Sequence, residues 1–245
     1  MNKANEGCFA LVLHSHLPYV VAHGRWPHGM DWLNEAAAET YLPLLEACRR
    51  LVGEGISPRF TIGLTPILCE MLASDTFRSE FRAYLEDKVE AAAIDEKEFS
   101  RTGRARLEQL ARMWREHYER LREQFEQLGG DVVAEFRRLQ DEGHIEIITC
   151  AATHGYLPLL CEDISIQAQV KTAVQCHRRH FGRAPKGFWL PECAYRPAYR
   201  WEPPLPEGGE ARERKGVEEF LSENGIEFFF IDSHLLKGGE AIGVY

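Results

Sequence analysis

An α/β fold built on a parallel sheet is predicted by three features of this 245-residue sequence. Short β-prone runs alternate with helical stretches. Those runs are apolar throughout, and polar side chains able to do chemistry cluster just after them. Uninterrupted apolar strands separated by helices are what a sheet covered on both faces requires.

The elements follow in order. Residues 8–13 form the first β-prone run, ahead of an irregular stretch rich in His, Pro and Gly. Over residues 33–52, Leu44, Leu45, Cys48 and Leu51 recur at helical spacing. Residues 59–64 are the second strand. The block 66–142 reads as helical and is longer than one crossover needs. In it Leu107, Leu110, Ala111, Trp114, Tyr118, Leu121, Phe125 and Leu128 make one apolar stripe, which Gly129 and Gly130 break. Trp114 and Tyr118 are expected in the core. Residues 75–130 are expected to stand off the sheet as a helical insertion; the stripe is too short to favour a coiled-coil partner helix. Residues 144–150 are the third strand, and Asp163 or Ser165 is expected to cap a helix running to Phe181 before Gly182. Residues 186–190 are the fourth strand, 196–216 a loop, 217–224 a short helix and 227–231 the fifth strand.

Composition narrows the function. With 29 Lys and Arg against 38 Asp and Glu, the net charge of −9 argues against non-specific nucleic-acid binding, which needs a basic field. No stretch approaches the roughly 20 apolar residues that span a bilayer. The first apolar run is too short for a signal segment. Seven cysteines without a C-x-x-C pair suggest neither a zinc motif nor a disulfide framework, and a reducing, cytoplasmic setting is expected.

The strand ends carry the chemistry. They read His14-Ser15-His16-Leu17-Pro18, Thr65-Pro66, Thr153-His154-Gly155-Tyr156, Trp189-Leu190-Pro191-Glu192-Cys193 and Asp232-Ser233-His234. In parallel α/β sheets and barrels, ligands sit outside the carboxyl ends of the strands. His14 and His16 share a face of an extended chain. With His154 they suit either a metal or the hydroxyls of a sugar, and sugar binding is the stronger reading. Glu192 follows an aromatic strand, where a solvated surface glutamate is unusual. Tyr19, Trp26, Trp32, Tyr156, Tyr195, Tyr199 and Trp201 offer flat faces for sugars, and packing explains Trp26 least.

The segments His14–Tyr19, Thr153–Gly155, Phe230–His234 and above all Trp189-Leu190-Pro191-Glu192-Cys193-Ala194-Tyr195-Arg196-Pro197 resemble glycoside hydrolase family 57, and within it the α-1,4-glucan branching enzymes. The resemblance implies the N-terminal portion of an incomplete (β/α)7 TIM-like barrel over residues 1–245, with a helical insertion after the second strand. It also implies retaining transglycosylation of an α-glucan polysaccharide, in glycogen- or starch-type metabolism. By position, Glu192 is then the nucleophile, and His14, His16, Trp26, His154, Asp232 and His234 bind substrate. No metal and no organic cofactor is required, and neither nucleic acid nor membrane is a partner.

Retention also needs a second carboxyl group about 5–5.5 Å from the first. In the family this is an Asp on a later strand, whereas this sequence ends soon after its fifth strand. The resemblance therefore implies an N-terminal fragment lacking the acid/base and inactive alone: a truncated gene, a fragmentary gene model, or one piece of a split enzyme whose C-terminal half is a partner. Family 57 amylase and 4-α-glucanotransferase are the alternatives, as is an inactive glucan-binding fragment. A metal-dependent polysaccharide deacetylase is disfavoured because no Asp-Asp pair follows the first strand.

Overall fold

The computed structural model describes residues 7–203 and 210–235. The chain divides into two compact units, one comprising Met1–Pro18, Arg59–Leu68 and Gly143–Tyr245, the other Tyr19–Pro58 and Cys69–Glu142. In chain order the elements begin with β1 (Val12–Ser15), α1 (Met30–Ala36), a π-helical turn (Ala37–Tyr41), α2 (Leu42–Gly53) and β2 (Phe60–Leu64). Next come α3 (Pro66–Leu72), α4 (Asp75–Arg101), α5 (Ala105–Gln127), α6 (Val132–Asp141), β3 (Ile145–Cys150) and α7 (Asp163–Phe181). The series closes with β4 (Gly187–Trp189), β5 (Tyr199–Trp201), β6 (Arg212–Arg214), α8 (Val217–Glu223) and β7 (Phe228–Phe230).

The first unit is built on a five-stranded sheet in the order β1-β2-β3-β4-β7, every pair parallel. The strands succeed one another in sequence order with no reversal. That is the progression of a barrel wall; a doubly wound sheet reverses at a switch point. The register places His14 opposite Gly63 and Gly63 opposite Ile148, and further along Cys150 opposite Trp189 and Trp189 opposite Phe230. Ile147, Ile148 and Cys150 are all buried, so β3 is covered on both faces, as its unbroken apolar run requires. Ile166, Val170 and Ala173 of α7 and Val217, Phe220 and Leu221 of α8 pack with Ala151, Phe188 and Leu190 in one core cluster.

The second unit is helical. Ser74 caps α4 by accepting from the Phe77 amide at 3.1 Å, and Asp131 caps α6 by accepting from the Ala134 amide at 2.9 Å. Phe77, Phe81 and Phe125 are fully buried where α4 and α5 pack, with ring centroids 4.8–6.0 Å apart.

Several expectations are corrected. The first strand covers residues 12–15, not 8–13: pairing with β2 sets its limits, while Phe9 ahead of it stands exposed. His14 is thereby inside the strand. The predicted loop 196–216 contains an antiparallel ribbon of β5 and β6. Neither Asp163 nor Ser165 caps α7. The cap position is Glu162, without a side-chain bond, and the Asp163 carboxylate instead accepts from Arg214 Nε at 2.8 Å and the Lys215 amide at 3.2 Å. Trp114 lies outside the core at 46% exposure, and Tyr118 is half-buried: α5 buries Ala111, Leu121 and Phe125, and the N-terminal part of the stripe faces outward.

Candidate active site

Because all five strands run parallel, their carboxyl ends lie along one edge of the sheet. Four aromatic rings stack there. His14 lies nearly flat on Trp189, centroids 4.7 Å apart at 8°, and beside His154 at 5.2 Å. His154 in turn stacks on His16 at 3.9 Å. Trp189 is backed by Phe230 of β7 at 5.5 Å.

The backbone makes this possible at specific points. A Cβ on Gly63 would lie 3.0 Å from His14 Nδ1, so only glycine leaves the ring its place. On Gly187 a Cβ would lie 2.4–2.5 Å from Phe228 and Ile148, so β4 fits between its neighbours only without a side chain there. His154, Glu192 and Cys193 all adopt positive φ, at 57°, 55° and 53°. Left-handed backbone at a non-glycine residue costs energy and is held in place by its surroundings. Here the turn after β4 is fixed by the Cys193 amide donating to Leu190 O at 2.8 Å and by Ala194 donating to Pro191 O at 3.2 Å. The Asp232 amide also donates to Cys193 O at 3.3 Å, tying the end of β7 to the same turn.

Against the expectation of a buried strand end, Glu192 stands on this turn with its side chain 73% exposed, because the turn carries it out past the strand; it meets His154 Nε2 at 3.4 Å. The other nitrogen of that ring, Nδ1, lies 3.1 Å from Cys150 Sγ. A carboxylate only accepts, so Nε2 carries the proton, and Nδ1 accepts from the thiol. Burial pushes the Cys150 thiol well up, which keeps it a donor. The chain of groups Cys150–His154–Glu192 thus orients the imidazole toward the carboxylate. His16 Nδ1 is 3.3 Å from the hydroxyl of Thr65, which is fully buried.

Electrostatics keep the imidazoles neutral. His14 is pushed down to about 4 by burial first, then by His154 and His16. His16 is also held at about 4, by burial and then His154, with Glu192 opposing. Burial lowers His154 too, against the hydrogen bond and charge of Glu192. Neutral rings each offer a donor and an acceptor, which suits hydroxyl-rich ligands. The Cys193 thiol is raised by burial, then by the charges of Asp232 and Glu192, so both carboxylates act on the same turn.

Of the residues expected from sequence, His14, His16, His154 and Glu192 are brought together. Asp232 and His234 lie exposed just past β7, His234 in a 3-10 turn. Trp26 belongs to the helical unit and is 76% exposed. Sequence reasoning missed Cys150 and Gly63 as parts of the arrangement, while Thr65 was among the strand-end residues it named. The signal for Cys150 was present as a Cys and a His four residues apart across a strand end.

A parallel sheet in barrel order, with a carboxylate and neutral imidazoles on its carboxyl edge, defines an α/β fold of the barrel class with a candidate site at its strand ends. Residues 10–241 match the family model of glycosyl hydrolase family 57, and the chain belongs to that family. It is 42% identical over 240 residues to a 1,4-alpha-glucan branching enzyme of Thermococcus kodakarensis, covering 98% of this chain and 34% of that protein. The crystal structure of a GH57-type branching enzyme from Pyrococcus horikoshii superposes with a TM-score of 0.87 at 42% identity, over 94% of this chain and 42% of that one. The alpha-amylase AmyC of Thermotoga maritima follows with a TM-score of 0.76 at 31% identity, over 92% and 39% of the two chains. The chain therefore spans between about a third and two-fifths of the length of these relatives.

Proposed function

We propose that this chain carries the nucleophile-bearing part of the catalytic domain of a retaining 1,4-α-glucan branching enzyme. Glu192 attacks the anomeric carbon of an α-1,4-linked donor, forming a C1–O bond as the glycosidic C1–O bond breaks. Water would turn transfer into hydrolysis, so the glycosyl-enzyme must be shielded until the 6-hydroxyl of an acceptor glucan takes its place. The observation that carries this reading is the exposed Glu192 carboxylate on a left-handed turn, touching His154 beside a stack of neutral rings. His154 positions the carboxylate. His14 and His16 hydrogen-bond sugar hydroxyls, and Trp26, Asp232 and His234 contribute further substrate contacts. Residues 75–130 serve as a helical insertion within this catalytic domain.

The proton donor for the leaving oxygen is a second carboxyl group, assigned to none of the described residues; Asp232 supports substrate. The setting is glycogen- or starch-type metabolism in the cytoplasm. All seven cysteines are free thiols, which fits a reducing compartment, and among the described residues no helix is long and apolar enough to cross a membrane.

Product linkage on amylose tests the reaction. New α-1,6 bonds are expected, and Glu192→Ala abolishes them. The 31% identity to an amylase supports one alternative, hydrolysis, for which only shorter α-1,4 chains accumulate. That outcome, or unchanged branching by Glu192→Ala, would overturn the proposal.

A further inference from the structure

His14 is the least satisfied polar side chain at the sheet edge: both of its ring nitrogens are buried and neither has a hydrogen-bond partner. Buried polar atoms in native proteins nearly always have partners, so this pair calls for one. Cys150 Sγ and a nitrogen of His154 lie close by, and the three ligand atoms of His14, Cys150 and His154 are all within 4.8 Å of one another. Two imidazoles and a thiol are a soft donor set, suited to Zn2+ and disfavouring Mg2+ or Ca2+. Tetrahedral bonds of about 2.0–2.1 Å to nitrogen and 2.3 Å to sulfur put the ligand atoms about 3.3–3.6 Å apart, so the Cys150–His154 pair, now at 3.1 Å, opens by a few tenths of an ångström, a shift within side-chain rotation.

We propose that His14, Cys150 and His154 form a three-ligand site for a thiophilic divalent cation, whose binding suppresses the activity of Glu192. The cation takes the position between Cys150 Sγ and His154 Nδ1, now 3.1 Å apart and joined by the thiol proton. That proton leaves to solvent, the thiolate and two neutral imidazoles bind the metal, and no redox change occurs. His154 Nε2 still donates to Glu192, which becomes the outer carboxylate of a carboxylate–histidine–metal arrangement. Held there, Glu192 is less available as a nucleophile, and His14 and His154 are lost to the sugar. The inhibitory half of the proposal rests on the function proposed above; the site itself does not.

The test titrates the full chain, stripped with a chelator, with Zn2+ and with Co2+. One saturating equivalent of each is expected. Co2+ should bring a thiolate-to-metal charge-transfer band in the near ultraviolet. Cys150→Ser should abolish the band and weaken Zn2+ binding at least about tenfold, and His14→Gln should weaken it comparably. Circular dichroism establishes that each variant is folded. Should a variant misfold, the Co2+ band of the native chain decides alone: saturating binding without a thiolate band would overturn the site. Absence of saturable binding, or binding and band unchanged in Cys150→Ser, would overturn it equally. Binding is read without turnover, so its failure leaves the Glu192 assignment standing. Conversely, failure of that assignment leaves the metal site intact.

Discussion

His14 sits opposite Gly63 across β1 and β2, and the missing side chain at Gly63 lets the imidazole lie flat between Trp189 and His154. Gly63→Ala places a methyl group 3.0 Å from Nδ1, so the ring must tilt off Trp189. The expected cost is about 1–3 kcal/mol in urea unfolding. The histidines also set a pH dependence. His14 and His16 titrate near 4 when folded and His177 near 3, against 6.5 when unfolded. Between those values the unfolded chain binds more protons, so this stability is fully present above pH 6.5 and is lost as pH falls toward 4. Urea midpoints should therefore drop from pH 7 to pH 5, and His177→Gln should shrink the drop. In the sequence, Glu192 and the histidines were legible because such residues rarely follow apolar strands. Gly63 was not, because its role comes from register, and the four-residue spacing of Cys150 and His154 gains its meaning only from the turn with positive φ at His154.

The same logic extends to whole elements. β4 fits between β3 and β7 because Gly187 has no Cβ. Gly187→Ala should cost about 1–3 kcal/mol, since Phe228 and Ile148 flank the position on both sides. Gly53, in the last turn of α2, is the contrasting case: a methyl group there would meet nothing within 4 Å, and its φ is ordinary. Gly53→Ala should stabilise by about 0.5–1 kcal/mol, raising the thermal midpoint. The five core strands and α7 were readable from apolar runs and from Gly182, which ends α7 in the left-handed conformation. The β5–β6 ribbon was hidden by its charged, proline-rich sequence, and its pairing is supported by Arg212 and Arg214 lying over Trp201. The α5 stripe misled for a different reason. Periodicity identifies a face, but it does not say how much of that face a neighbour covers.

At the scale of the whole molecule, sheet order separates the fold classes that sequence left together. Five parallel strands in unbroken sequence order build a barrel wall, and His14, His16, His154 and Glu192 converge on its carboxyl edge. Family membership follows from the match over residues 10–241, and the strongest geometric support for chemistry is the Cys150–His154–Glu192 series. The central claim is that Glu192 is the nucleophile, and it is testable on this chain because a fluoride leaving group departs without a proton donor. Incubation with a 5-fluoro-α-glucosyl fluoride, followed by peptide mass spectrometry, should find one glycosyl adduct on Glu192. Fluoride should be released in equal amount, and no adduct should form in Glu192→Gln. An adduct on another residue, or labelling that persists in Glu192→Gln, would contradict the assignment.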